Sequence, residues 1–238
     1  MPTAILIDGA YFIKRFRSFE PHNKYNAERA ADLAWRWSMA HLREGKDMRH
    51  DLYRIFFYDC PPIDKKMHNP VSKRMIDFGK SNEAIFRREL HEHLKQKRKV
   101  ALRLGHLASD ISWTIPLGII DELLKGKRKL EELTAEDVRL NYRQKGVDMR
   151  IGIDISSLAL KKQVNQIVLM AGDADFVPAA KLARREGVDF ILDPMWQRIP
   201  PSLNEHIDGL RCTSPKPIPR VRTSQTEKTA ENTQDGGG

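Results

Sequence analysis

The sequence predicts an α/β fold in which a mostly parallel β-sheet is covered by helices on both faces. Three observations predict it. Short apolar runs alternate with amphipathic stretches at helical spacing, the pattern of strand-helix-strand units. Two of those runs, Thr3–Ile7 and Ile167–Met170, lead straight into glycine and aspartate, as parallel strands do where ligands bind beyond their carboxyl ends. The 238 residues, 40% hydrophobic and 31% charged, have a globular composition and can bury a full core.

Thr3 to Ile7 reads as the first strand and stops at Asp8-Gly9, where glycine permits a sharp turn beside a ligand. Tyr11 to Phe19 interleaves Lys14, Arg15 and Arg17 with Tyr11, Phe12, Phe16 and Phe19. This is either a phosphate-and-base surface or an amphipathic turn with its aromatics in the core. A helix opens at Asn26, a good N-cap, and repeats Ala30, Leu33, Ala34, Trp37 and Leu42. Leu52 to Tyr58 is the second strand, ending at Asp59-Cys60-Pro61-Pro62, whose prolines forbid further pairing. Asp64 to Ser72 reads as a loop. Glu83 to Lys97 is a helix with Ile85, Phe86, Leu90 and Leu94 inward, and Val100 to Gly105 alternates as a strand.

Residues 106–143 are irregular and read as an insertion into the sheet fold. Short helices are expected at Pro116–Leu124 and Leu130–Leu133, and a short strand at Val138–Tyr142. A helix then runs from the Gln144–Asp148 segment to about Val164. The central strand follows, then a helix from Phe176 to Arg185 with Pro178 harmlessly in its first turn. A last core strand lies within Gly187–Pro194, and a short helix over Ser202–Ile207 closes the fold. The domain is expected to span 1–212, with a disordered tail over 213–238, where Pro, Ser, Thr, Gln and Gly erase any apolar period.

Lys and Arg number 41 against 32 Asp and Glu, a formal charge of +9. The tail contributes four basic and three acidic residues, so the excess belongs to the folded part and suits either a polyanion such as nucleic acid or a membrane surface, or solubility alone. No apolar run is long enough to span a bilayer. The N-terminus lacks the basic region of a signal peptide. Two cysteines far apart, Cys60 and Cys212, suit reduced thiols in a cytoplasmic protein.

The chemistry points to acids. Asp8, Asp173 and Asp175 follow strands, and Asp148 stands in a first helical turn that can face the same edge. Carboxylates gathered without Cys or His suit hard cations, Mg²⁺ or Mn²⁺, which polarise phosphoryl oxygens and activate water. Each acid also has a plainer reading: Asp8 as a turn aspartate, Asp148 as a complement to the helix dipole, Asp175 as an N-cap before Phe176. Asp154, six residues beyond Asp148, points about 120° away from it on the helix. His91 and His93 lie on different helix faces and make no zinc pair. No glycine-rich phosphate loop precedes a Lys-Ser/Thr pair. The basic runs Lys95–Lys99 and Lys125–Lys129 offer phosphate grips or solvated helix ends. Trp113, Tyr142 and Trp196 offer base-stacking faces or core and interface contacts.

Three motifs in order, Ile5-Leu-Ile-Asp8-Gly9, Lys145-Gly-Val-Asp148 with Asp154 downstream, and Met170-Ala-Gly-Asp173-Ala-Asp175-Phe176, resemble those of the NYN domain. They are most similar to its bacterial LabA/DUF88 branch, within the PIN-like nuclease superfamily. The resemblance spans about Thr3 to Asp193. It implies a three-layer α/β/α sandwich and a metal-dependent ribonuclease site. Mg²⁺ or Mn²⁺ would be held by the catalytic acids Asp8, Asp148 and Asp173, Asp175 would complete the pocket, and Asp154 would act as a supporting acid. Two positions depart from the family pattern: Tyr11 stands where Asn is common, and Ala171 where Ser is common.

The function expected is therefore a divalent-metal-dependent endoribonuclease acting on single-stranded or structured RNA. Lys14, Arg15, Lys145 and Arg150 would contact the RNA. A binding module without turnover, holding RNA or a protein partner, is the alternative, and a DNA nuclease or phosphatase using the same acids is a third. A homo-oligomer is compatible with the sequence.

Overall fold

A computed structural model describes residues 2–44 and 48–217. Six strands form the central sheet: β1 (Pro2–Asp8), β2 (Asp51–Asp59), β3 (Val100–Leu104), β4 (Gln166–Met170), β5 (Asp189–Asp193) and β6 (Gly209–Leu210). Their order is β6-β5-β4-β1-β2-β3, and every neighbouring pair is parallel. From β1 the chain fills one side through β2 and β3, then returns to the other side of β1 with β4. The strand order thus reverses between β1 and β4, the place where doubly wound sheets open a crevice at their carboxyl ends.

Alternation along β1 divides the core. Ala4 and Leu6 point to one face and pack with Ile151, Ile155 and Leu158 of α5 (Val147–Leu160) and with Ala180 and Ala183 of α6 (Val177–Arg185). Ile5 and Ile7 point to the other, against Phe12 and Phe16 of α1 (Gly9–Phe19), Trp37 of α2 (Ala27–His41) and Phe86 of α3 (Asn82–Gln96). Period-two burial on both sides is what a strand sandwiched between helical layers requires. The expected three-layer α/β/α architecture is the one observed. Asn26 and Ser81 cap α2 and α3 by accepting from Arg29 N (2.9 Å) and Ala84 N (3.2 Å).

Several local expectations change. The segment taken as a loop after β2 contains a small hairpin, Lys66–His68 against Met75–Asp77. Ile85 is exposed rather than inward, because α3 turns Phe86, Leu90 and Leu94 to the sheet. The helix expected from Gln144 starts at Val147 and ends at Leu160. Gln144 and Lys145 are instead paired with Leu107 and His106, and Gly146, at φ +80°, turns the chain into α5. The insertion is an antiparallel arm. Beyond that first pair, Ser112–Thr114 pairs with Arg139–Asn141, and α4 (Leu117–Leu124) lies toward the tip. The arm leans on the hairpin through Asn69 Nδ2 to Ala135 O (3.1 Å) and Phe78 against Trp113 (5.9 Å between ring centres).

No helix among the described residues is long and apolar enough to cross a membrane. Cys60 and Cys212 are both free thiols. Of the expected tail, 218–238 lies outside the described residues. Thr213 donates its hydroxyl to Trp37 O (3.0 Å), and Ser214 is buried, so the packed chain continues past 212.

Candidate active site

The four acids singled out from sequence all reach the carboxyl edge of the sheet around the β1–β4 reversal. Asp8, the last residue of β1, is half-buried and caps α1 by accepting from Tyr11 N (3.1 Å). Gly9 makes that turn possible: a Cβ there would lie 2.6 Å from the Phe57 ring and press on the Tyr58 carbonyl. Asp173 follows β4 and accepts from Asp175 N (3.2 Å), capping the short 3-10 turn Ala174–Phe176. The cap expected of Asp175 therefore belongs to Asp173, because the turn begins two residues earlier than the helix read from the sequence. Asp148 occupies the first turn of α5, and like Asp173 and Asp175 it is exposed.

These carboxylates feel one another. Burial pushes the Asp8 carboxyl up to about 6, with the charges of Asp148 and Asp59 adding to the rise against the Tyr11 N–H. Asp148 is raised as well, by desolvation and then by Asp173 and Asp175. Asp148 thus links the β1 acid electrostatically to the β4 acids. Unrelieved negative charge of this kind is what a cation or a proton stabilises.

Among the described residues no group of three or more His, Cys, Asp or Glu side chains is close enough to hold an ion unaided. Mg²⁺ retains several waters and uses one or two carboxylates plus substrate phosphates. An open rim of carboxylates fits that mode, with Asp8, Asp148, Asp173 and Asp175 as the available oxygen donors.

Two other strand-end acids are spoken for. Asp59, at the end of β2, is wholly buried between the Arg87 guanidinium and His91 Nε2 (2.8 Å); Arg87 in turn holds Glu83 (2.8 Å). Asp193, at the end of β5, is buried against His41 Nε2 (2.8 Å) and Met195 N (2.8 Å). Cys60 is no nucleophile, since burial and Asp59 push its thiol up to about 11.

The structure separates Asp154 from the rim acids. It accepts from the Tyr58 hydroxyl (2.8 Å) and faces Arg103 (3.4 Å), one and a half turns down α5. Arg15 is a correction: it is buried, its Nε donates to Met195 O (3.1 Å), and its guanidinium lies 4.6 Å from the Phe19 ring centre. Of the two readings of α1, the aromatics in the core is the one realised. Lys14, Lys145 and Arg150 are exposed. The run Lys95–Lys99 lies at the opposite, amino edge of the sheet, where Lys95 pairs with Glu92 and Lys97 with Asp32. In the arm Arg128 is held by Asp137 (3.1 Å), while Lys125, Lys127 and Lys129 are exposed.

Sequence reasoning did not foresee Tyr11 as a brace. Its hydroxyl donates to Pro194 O (2.6 Å), and its ring fills the space a side chain at Gly172 would need. Burial pushes that hydroxyl up to about 12, keeping it a donor. Ala171 is wholly buried under α5 and α6, a packing position with no room for a free polar group.

The NYN domain profile matches residues 79–203, more than half of the chain. The chain belongs to the NYN domain family. NYN domains are PIN-like nucleases. The match covers Asp148, Asp154, Asp173 and Asp175 and starts after β2, so Asp8 joins these acids through the sheet. A comparison with curated proteins gives no match.

Proposed function

We propose that this NYN protein is a divalent-metal-dependent endoribonuclease of the LabA/DUF88 branch, working in the cytoplasm on single-stranded or structured RNA. The observation that carries the reading is the set of mutually repelling, uncompensated acids Asp8, Asp148, Asp173 and Asp175 where the strand order reverses. Asp59 and Asp193 stand at neighbouring strand ends, yet each is buried and hydrogen-bonded by built-in partners, Arg87 and His91 for one and His41 for the other. Asp8 and Asp148 are both raised by burial and by neighbouring acids, and perturbed acids gathered at one edge are a usual mark of a working site.

Asp8, Asp148 and Asp173 would hold Mg²⁺ or Mn²⁺, with Asp175 completing the rim. The ion, when bound, polarises a phosphoryl oxygen and lowers the pKa of water. Asp8 sits on a helix cap and Asp173 on a 3-10 cap, so both carboxylates are oriented by backbone N–H groups before any ligand arrives. The exposed Lys14, Lys145 and Arg150 would position the phosphate backbone. Asp154 acts at a distance, holding Tyr58 and Arg103 beneath α5.

A panel of labelled RNA and DNA strands incubated with Mn²⁺, Mg²⁺ or chelator tests the reading. RNA cleavage is expected with metal only, and Asp8→Asn or Asp173→Asn should lower it at least about 100-fold, the loss of several kcal/mol of charge stabilisation. Undiminished cleavage in chelator, or by either variant, overturns it. Salt-sensitive RNA binding without cleavage at any metal would assign the chain to the binding modules instead.

A further inference from the structure

A cavity of about 280 Å³ opens beside the acidic rim, between the arm and the first turn of α3. The returning side of the arm, from Arg139–Asn141 to Gln144–Lys145, builds a wall of it with every second residue: Leu140, Tyr142 and Gln144 line the cavity, while Asn141, Arg143 and Lys145 do not. Pro61 and Phe78 stand among the other walls, and Phe78 is backed by the Trp113 ring. Tyr142 lines the cavity and is still 39% exposed, which puts it at the mouth. Among the described residues, neither its hydroxyl nor the Gln144 amide has a hydrogen-bond partner.

The other polar groups of the lining are occupied. Ser81 Oγ donates to Phe78 O (2.7 Å) and accepts from Ala84 N, and Glu83 and Arg87 hold each other. What remains is a largely apolar cavity with two unengaged polar groups, the Tyr142 hydroxyl at its mouth and the Gln144 amide, which can both donate and accept. It is smaller than the roughly 300–1,000 Å³ typical of drug-sized ligands. Gln144 precedes Asp148 by four residues, a span of about 14 Å at most. Arg143 and Lys145, beside Tyr142 and Gln144 in sequence, are exposed and have no carboxylate partner among the described residues, so a polyanion alongside is favoured.

We propose that this cavity is a base-reading subsite: it takes one unpaired RNA nucleobase, stacked on Tyr142 and hydrogen-bonded by Gln144, next to the acidic rim. Splayed bases on aromatic faces are the general mode of single-strand RNA recognition. The inference deepens the ribonuclease reading and relies on it for the identity of the strand.

The test reads binding apart from cleavage. A short fluorescent single-stranded RNA, and a series carrying one abasic site at each successive position, are titrated with the full chain in chelator. One abasic position should weaken binding roughly tenfold, the worth of one base stack, and the others much less. In Tyr142→Ala that difference should disappear, in Tyr142→Phe it should persist, and Gln144→Ala should change which base is preferred there. Thermal melts confirm that the exposed Tyr142 can be replaced without unfolding. Equal losses at every position, or a position effect that survives Tyr142→Ala, overturn the subsite. Cleavage with Mn²⁺ but no position effect removes the subsite alone, whereas a position effect without cleavage removes the ribonuclease alone.

Discussion

Replacing Asp8 by Asn should make the protein more stable at neutral pH while disabling it. The Asp8 carboxyl is raised from 3.8 to about 6, chiefly by burial. An acid with a raised pKa in the folded state contributes stability that is complete below about 3.8 and is lost as pH rises through about 6. At 1.36 kcal/mol per unit, a shift of about two units corresponds to about 3 kcal/mol. Partial exposure screens part of this, and losing the negative charge at the start of α1 removes about 0.3–1 kcal/mol of dipole interaction. Asn keeps the cap to Tyr11 N, since it caps as well as Asp. The net expectation is a gain of about 2 kcal/mol at pH 7.5, or about 4–8 °C in melting temperature for a chain of this size. Urea unfolding of both proteins in chelator at pH 4, 5, 6 and 7.5 checks it. The gap between variant and wild type should open between pH 4 and 7 and stay level above. Adding Mn²⁺ at about 100 times its dissociation constant should then stabilise wild type by about 2.7 kcal/mol and the variant far less. A variant that is less stable at pH 7.5, or whose gain ignores pH, would refute the claim that this buried acid is held at a cost.

Five further variants have expected outcomes. Arg87→Met leaves the buried Asp59 with His91 alone and should cost about 3–5 kcal/mol in urea unfolding, much of it regained in the double variant with Asp59→Asn. Gly9→Ala should destabilise by about 1–3 kcal/mol or more, because its methyl meets the Phe57 ring and the Tyr58 carbonyl. Gly152→Ala, in α5 with nothing within 4 Å of the new methyl, should stabilise by about 0.5–1 kcal/mol in the same melts. Lys14→Ala should weaken RNA binding and reduce the salt slope by about one counterion, with stability within about 0.5 kcal/mol, while Arg15→Ala should lower stability by freeing Met195 O and uncovering Phe19.

The central strands were legible because their signal is local. Thr3–Ile7, Leu52–Tyr58 and Ile167–Met170 are apolar runs closed by turn residues, and each falls on a strand of the sheet. The arm was not legible for the opposite reason. Its strands are two or three residues long, and Leu107 meets Gln144 only after the chain has travelled out and back. The basic, aromatic α1 segment supported two readings. Deciding between them needed Met195, whose carbonyl takes Arg15 from 180 residues away.

By itself the sequence determined that strands alternate with helices and that Asp8, Asp59 and Asp173 stand at or just beyond the carboxyl ends of strands. Period and turn chemistry are written into neighbouring residues. Only the tertiary structure decided which of those acids are available. Asp59 is buried with Arg87 and His91, and Asp193 with His41, all from distant helices, whereas among the described residues Asp8 and Asp173 have no cationic side chain at ion-pair distance and share their edge with Asp148 and Asp175. Charge compensation is a sum over everything packed nearby, and that sum exists only once the chain has folded.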